Sequence, residues 1–293
     1  MRTHRGVPVT VVALLLFPTS DAVAQTPSLD ELLTRVATYV ADLTPRIANV
    51  VALESYEQRE NSYPANSRIR RLKSDVLLVR PSDGPDWIVF RDVGEVNGKQ
   101  VRYEADRLVR LFGEPTADAA EKISRIAGEG VRFNVPGGSV AATNPFLVFA
   151  LMHRFYHSRL KFTMGREDRG VGSGVRVLRF EERQTRLPSG KGEKQETLPI
   201  LGPLGPVKGN VWVEQSSGRI LKTEGRIGRA PRSATSVTTF AQDDRLGVTM
   251  PKEMRTSWTN PQTSRPVNGV AKYEGFRRFD VRTDASLVQE LGR

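Results

Sequence analysis

Cysteine is absent from this 293-residue chain. That excludes disulfides, thiol nucleophiles, thiolate metal sites and a lipid anchor on a cysteine. The core alone must hold the fold, and a chain of this length can bury enough to do so. Histidine is scarce, at three residues, and His4 sits in the N-terminal leader. His153 and His157 remain, four apart as on one face of a helix. Arg154, Phe155 and Tyr156 lie between them, so the glutamate of a zinc-protease motif is missing, and no metal is expected. No G-x-S-x-G elbow occurs; the nearest run, Gly137-Gly138-Ser139-Val140-Ala141, lacks the last glycine. Gly170, Gly172 and Gly174 lack dinucleotide spacing, and no cofactor is expected. The adjacent acids Glu181-Glu182 and Asp243-Asp244 would point to opposite faces of a strand. An exported hydrolase is therefore the third reading of the chain rather than the first.

What is present starts with a leader. Arg2, His4 and Arg5 precede an apolar run from Val7 to Phe17, followed by the small-x-small site Ala22-Val23-Ala24. Residues 1–24 read as a secretory signal peptide cut before Gln25, and 25–293 as a single domain in the periplasm or outside the cell. No second apolar run of about 18 residues follows, so a soluble chain that does not span the membrane is expected after cleavage. Formal charge is +11, which favours anionic polymers of the envelope as a partner class. No nucleic-acid motif accompanies it, and nucleic acid is not expected. The densest basic run, Arg68, Arg70, Arg71 and Lys73, would split between the two faces of a strand.

Periodicity sets the elements. Ser28-Leu29-Asp30-Glu31 reads as a capping box. Leu29, Leu32, Leu33, Val36, Val40 and Leu43 then form an apolar stripe that Pro45 ends or kinks. Strand texture runs from Asn49 to Arg59 with Val51, Leu53 and Tyr56, then over Ser74–Arg80 and Trp87–Val93. Asn97-Gly98 is the strongest short hairpin signal. Helices are expected over Asp106–Phe112, Thr116–Gly128 and Phe146–His157, the last capped by Asn144-Pro145 and apolar nearly all round. Strands return over Arg159–Met164, Val175–Glu182, Val207–Glu214, Arg219–Ile227, Ser233–Gln242, Lys252–Thr259 and Val270–Val281. An exposed Pro/Gly-rich loop is expected over 183–206, and a short tail helix over Asp284–Leu291.

The sum is an α+β domain: a curved, mostly antiparallel sheet of about ten strands, half-barrel-like, with the N-terminal helix and a central helical segment packed on it. Several strands carry apolar residues on both faces, as at Val89-Phe90 and Val177-Leu178, which suits a sheet curved around something apolar. The leading functional expectation is a non-enzymatic exported binding or carrier protein. Its concave face would be plugged by the 146–157 helix and would hold an apolar ligand, an acyl chain or a lipoprotein. The cavity candidates are Phe146, Phe149, Leu151, Phe155, Trp212 and Tyr273. The alternative is a structural or interaction protein of the envelope that meets anionic polymer.

A resemblance bears on this. Arg71-Leu72-Lys73-Ser74-Asp75-Val76-Leu77-Leu78-Val79, Phe90-Arg91-Asp92-Val93, Gly209-Asn210-Val211-Trp212-Val213-Glu214, Ser217-Gly218-Arg219-Ile220-Leu221 and Asp244-Arg245-Leu246-Gly247-Val248 form a series of marks. Together they resemble a group of secreted bacterial proteins abundant in acidobacteria, over most of the mature chain; that likeness implies no activity. The C-terminal half is also similar to the Lol-type lipoprotein carriers and related periplasmic half-barrels, whose curved sheet carries an x-W-(V/I)-(D/E)-x-x-(T/S)-G-x-(I/L) strand pair. This second resemblance implies ligand carriage rather than catalysis, and it transfers no functional residues.

Overall fold

The computed structural model describes residues 26–61, 67–79, 88–102, 107, 130, 132–137, 143–183, 206–229 and 233–278. The leader and its cleavage site, the helices expected over 106–112 and 116–128, the loop 184–205 and the tail helix fall outside these residues, but for the isolated Arg107.

Helix α1 spans Leu29–Ile47. Its capping box forms: Ser28 Oγ accepts from Glu31 N at 3.3 Å, and Ser28 N donates to Glu31 Oε2 at 2.7 Å. Pro45 does not end the helix. The last turn continues to Ile47, whose side chain is fully buried; that burial, worth about 1.5–3 kcal/mol, helps offset the amide bond Pro45 cannot make.

Eleven strands follow in one antiparallel sheet: β1 Val50–Glu60, β2 Arg68–Val79, β3 Ile88–Val96, β4 Lys99–Gln100, β5 Leu160–Glu167, β6 Val175–Glu182, β7 Val207–Glu214, β8 Ile220–Ile227, β9 Ala234–Asp243, β10 Val248–Thr259 and β11 Pro266–Arg278. Their spatial order is β4-β3-β2-β1-β11-β10-β9-β8-β7-β6-β5. Two meanders, β1–β4 and β5–β11, thus meet along a central β1–β11 seam. The chain between β4 and β5 has to pass from one edge of the sheet to the other. The Asn97-Gly98 turn between β3 and β4 has both residues at positive φ, 51° and 79°, the hairpin turn its sequence predicts.

The core lies on one face of this open, curved sheet. Leu32, Val36, Val40, Leu43 and Ile47 of α1 pack there with Val211, Val213, Ile220, Met250 and Met254. The helix expected over 146–157 is present in two pieces. Helix α2 covers only Leu147–Leu151, and a 3₁₀ helix covers Arg154–Arg159. The break is at His153, which takes extended backbone (φ −64°, ψ 138°) and caps the 3₁₀ helix by accepting from Phe155 N. The 3₁₀ helix leads directly into β5 at Leu160. Gly225 seats α2: a Cβ there would lie 2.6 Å from Val148 Cγ2.

Strand β1 forms where its texture places it, and it carries polar residues inward: Leu53 is 44% exposed, while Glu54, Tyr56, Gln58 and Glu60 point into the core side. Even-numbered residues face the core along the whole of β1, from Val50 and Ala52 onward. The register shift between Val51 and Leu53 places the extra residue on β11, where Gly275, at positive φ, and Phe276 stand opposite Ala52.

Candidate ligand-binding groove

Helix α1 presents a second, weaker stripe beside its core-facing one. Leu29, Leu33, Ala37 and Ala41 recur every four residues and line an open groove of about 770 Å³. The opposite wall comes from the 3₁₀ helix and the start of β5: His153, Arg154, His157, Leu160 and Phe162, with Arg183 just after β6. The groove therefore begins where α2 ends. Its size falls in the range of small-molecule clefts, about 300–1,000 Å³. Its floor is aliphatic and aromatic; its charged groups are Asp30 on the helix wall and Arg154 and Arg183 on the other.

The histidines do not face each other as on a continuous helix. His153 Nδ1 is taken up by its capping bond at 3.2 Å. His157 Nε2 lies 3.0 Å from the Met152 carbonyl and, since a carbonyl only accepts, donates to it; its ring meets Phe162 edge-on at 5.1 Å. Burial lowers the His157 pKa; the Met152 bond opposes this and nearby Arg154 adds to it. Among the described residues, no group of three or more histidines and acids is placed to hold a metal ion.

Next to the groove, α2 closes the inner face. Phe146, Phe149 and Leu151 have no exposed surface. Phe149 meets Tyr39, Phe146 and Phe240 with centroids at 6.2, 5.9 and 5.6 Å. These three predicted residues are brought together. Of the other three, Tyr273 belongs to the same core cluster, and Phe155 and Trp212 lie outside it. Phe155 is 61% exposed on the 3₁₀ helix. Tyr273 is buried across the sheet, opposite Glu54 in the β1–β11 register. Trp212 alternates with the core residues Val211 and Val213 and lies on the outer face, where Nε1 donates to Asp168 at 2.8 Å and Lys222 sits over its ring at 4.1 Å.

The segment leading into α2 is held by buried polar groups that the sequence reading missed. Arg91 donates to both carboxylate oxygens of Glu54, at 2.5 and 2.8 Å, and also to the Thr143 hydroxyl (3.2 Å) and carbonyl (3.0 Å). Gln58 donates to Asn134 Oδ1 at 2.5 Å and accepts from Val135 N at 2.6 Å. Trp258 Nε1 donates to the Pro136 carbonyl at 3.1 Å. Tyr56 shares a 2.8 Å bond with Thr256, and burial pushes its phenol well above its ordinary pKa. The available sequence signal was the alternation Glu54-x-Tyr56-x-Gln58-x-Glu60, polar at the period of a strand.

The outer face carries basic and acidic groups in register. Lys161, Glu181, Lys208 and Arg226 are direct neighbours across β5–β8. Arg71 pairs with Glu57 at 2.9 Å and Lys73 with Glu95 at 2.9 Å, while Arg70 turns inward to the Phe133 carbonyl. The positive charge here is interleaved with acids. Among the described residues, no helix is long and apolar enough to cross a membrane.

No family model matches the chain, and no curated protein matches it. Solved structures of similar fold do. A domain described as belonging to an outer membrane lipoprotein-sorting protein of Vibrio parahaemolyticus has 14% identity over 89% of this chain and 99% of that one, with a TM-score of 0.36. A DUF1329 family protein of Desulfovibrio piger has 11% identity over the same shares, also at 0.36. A LolA superfamily protein of Nitrosomonas europaea has 13% identity over 84% of this chain and 94% of that one, at 0.31.

Proposed function

We propose that this is a non-enzymatic exported binding or carrier protein that takes up an apolar chain at the mouth of its half-barrel. The observation that carries the reading is the groove of about 770 Å³ between α1 and the 3₁₀ helix, with its stripe Leu29, Leu33, Ala37 and Ala41. Leu29 and Leu33 are half-buried along this stripe and Ala37 is covered, so the apolar surface still open in the groove is what a ligand would cover. The groove leads to α2, a plug of five residues that are buried on every side. The segment before the plug is fastened by side-chain hydrogen bonds, which can open without breaking the sheet. If α2 swings aside, Phe146, Phe149 and Leu151 move with it and line the opened space from the helix side. Export rests on the leader sequence, and carriage of a lipid or lipoprotein is the form of the activity that fits it.

Titration of the purified protein with a neutral fluorescent chain, cis-parinaric acid methyl ester, tests the reading. Saturable binding is expected. Ala41→Trp, which fills the groove from an exposed position, should weaken it at least tenfold without moving the thermal unfolding midpoint. A protein that binds no ester would overturn the carrier reading.

A further inference from the structure

The two walls of the groove differ in charge, and the difference says what kind of chain belongs there. The α1 wall supplies the apolar stripe and one ionisable group, Asp30. The opposite wall supplies Arg154 and Arg183, both exposed at the surface. Arg154 has no hydrogen-bond or ion-pair partner among the described residues. Arg183 uses Nε on the Leu160 carbonyl at 3.0 Å, which fixes its stem and leaves the terminal nitrogens of the fork facing outward. Guanidinium forks match carboxylates in geometry and retain full charge at any working pH. His153 Nδ1 and His157 Nε2 are already engaged with backbone. From Leu29 to Ala41 the stripe rises about 18 Å along the helix axis at 1.5 Å per residue, long and one side chain wide.

We infer that the occupant of this groove is a single-chain amphiphile with a carboxylate head, its tail on the Leu29–Ala41 stripe and its head on Arg154 and Arg183. This rests on the carrier reading and narrows it to long-chain fatty acids. The tail gives affinity through burial of apolar surface. The two arginines distinguish an ionised acid from its neutral ester.

The test compares cis-parinaric acid with its methyl ester on the full chain. The acid should bind about tenfold tighter or better. Arg154→Glu combined with Arg183→Glu should abolish that preference while leaving ester affinity within about twofold; ester binding also reports that the variant is folded. Ala41→Trp should weaken both ligands together. Equal affinity of wild type for acid and ester would overturn the inference and leave the carrier reading standing. A preference that survives the double reversal, or acid binding untouched by Ala41→Trp, would overturn it too, by placing the head or the tail elsewhere. Failure of both ligands to bind would remove the carrier reading and this inference with it.

Discussion

Replacing Arg91 with methionine should be among the costliest single changes in the molecule. Glu54 has no exposed side-chain surface, and Arg91 keeps 9% of its own. Burial works against the guanidinium's charge, but Glu54 beside it more than compensates and holds the pKa above its ordinary value. Removing the cation leaves a carboxylate with neither water nor counter-charge. Breaking a buried pair in this way costs about 3–5 kcal/mol, a large share of the roughly 5–15 kcal/mol that stabilises a typical domain. Both bonds to Thr143 go as well, so the segment before α2 loosens. With urea slopes of about 1–3 kcal/mol per molar, the denaturation midpoint should fall by roughly 1–5 M. The decisive comparison adds Glu54→Leu to Arg91→Met. With both charges gone, an apolar pair of similar volume fills the space, and most of the lost stability should return. Equilibrium urea unfolding followed by tryptophan fluorescence measures all three proteins. A loss below about 1 kcal/mol in the single variant, or a double variant no more stable than the single, would refute the view that this pair is desolvated and mutually dependent.

Two further outcomes are expected. Phe149→Ala should destabilise by about 3–5 kcal/mol in the same assay, since the ring is fully buried among three aromatics and truncation leaves a cavity; a cost near 1 kcal/mol would mean that α2 rests loosely on the sheet. Burial lowers the His157 pKa from its ordinary 6.5, so as pH falls the unfolded chain takes up this proton before the folded one. The stability tied to His157 is therefore whole above about pH 6.5 and declines below it until the lower folded value is passed. Urea midpoints measured from about pH 8 to about pH 5 should fall on the acid side more in the wild type than in His157→Gln, and parallel curves would contradict this.

Much of the architecture is legible in the residue pattern, because hairpins and capping are local. Asn97-Gly98 demands positive φ at two successive residues and finds it. Ser28 and Glu31 cap each other through bonds three residues apart. Strands β6 and β7 span the expected ranges, and β8 starts one residue later than expected, at Ile220. What the pattern hides depends on contacts made far along the chain. Strand β1 faces the core with its even-numbered residues, so Leu53 lies outside and Glu54 inside, a choice made by the strands it pairs with and not by its own hydrophobicity. Glu54 then reads as a surface acid until Arg91, on β3, is placed beside it. The apolar stretch Phe146–His157 satisfies helix periodicity throughout, but the chain must leave the core to begin β5, and His153 is spent on that bend. The groove has a similar cause. Leu29 and Leu33 read as members of one broad stripe with Leu32 and Val36, and only the packing of α1 against the sheet makes Leu32 and Val36 fully buried and leaves Leu29 and Leu33 half-buried at the groove.

The central seam also governs when this protein can finish folding. Tyr56 and Thr256, joined across the middle of the sheet, are 200 residues apart in sequence. Each meander can form from neighbouring hairpins, but neither can pair with the other until the last strand has been synthesised. Such distant closures come late, since the entropy of the intervening loop is lost before any contact rewards it. A growing chain would thus carry β1 with one edge unpaired, its inward-facing side polar at Glu54, Gln58 and Glu60. The two glutamates act on the unfinished strand as edge charges do elsewhere, discouraging other chains from pairing there. The same residues that fasten the finished structure would protect the unfinished one.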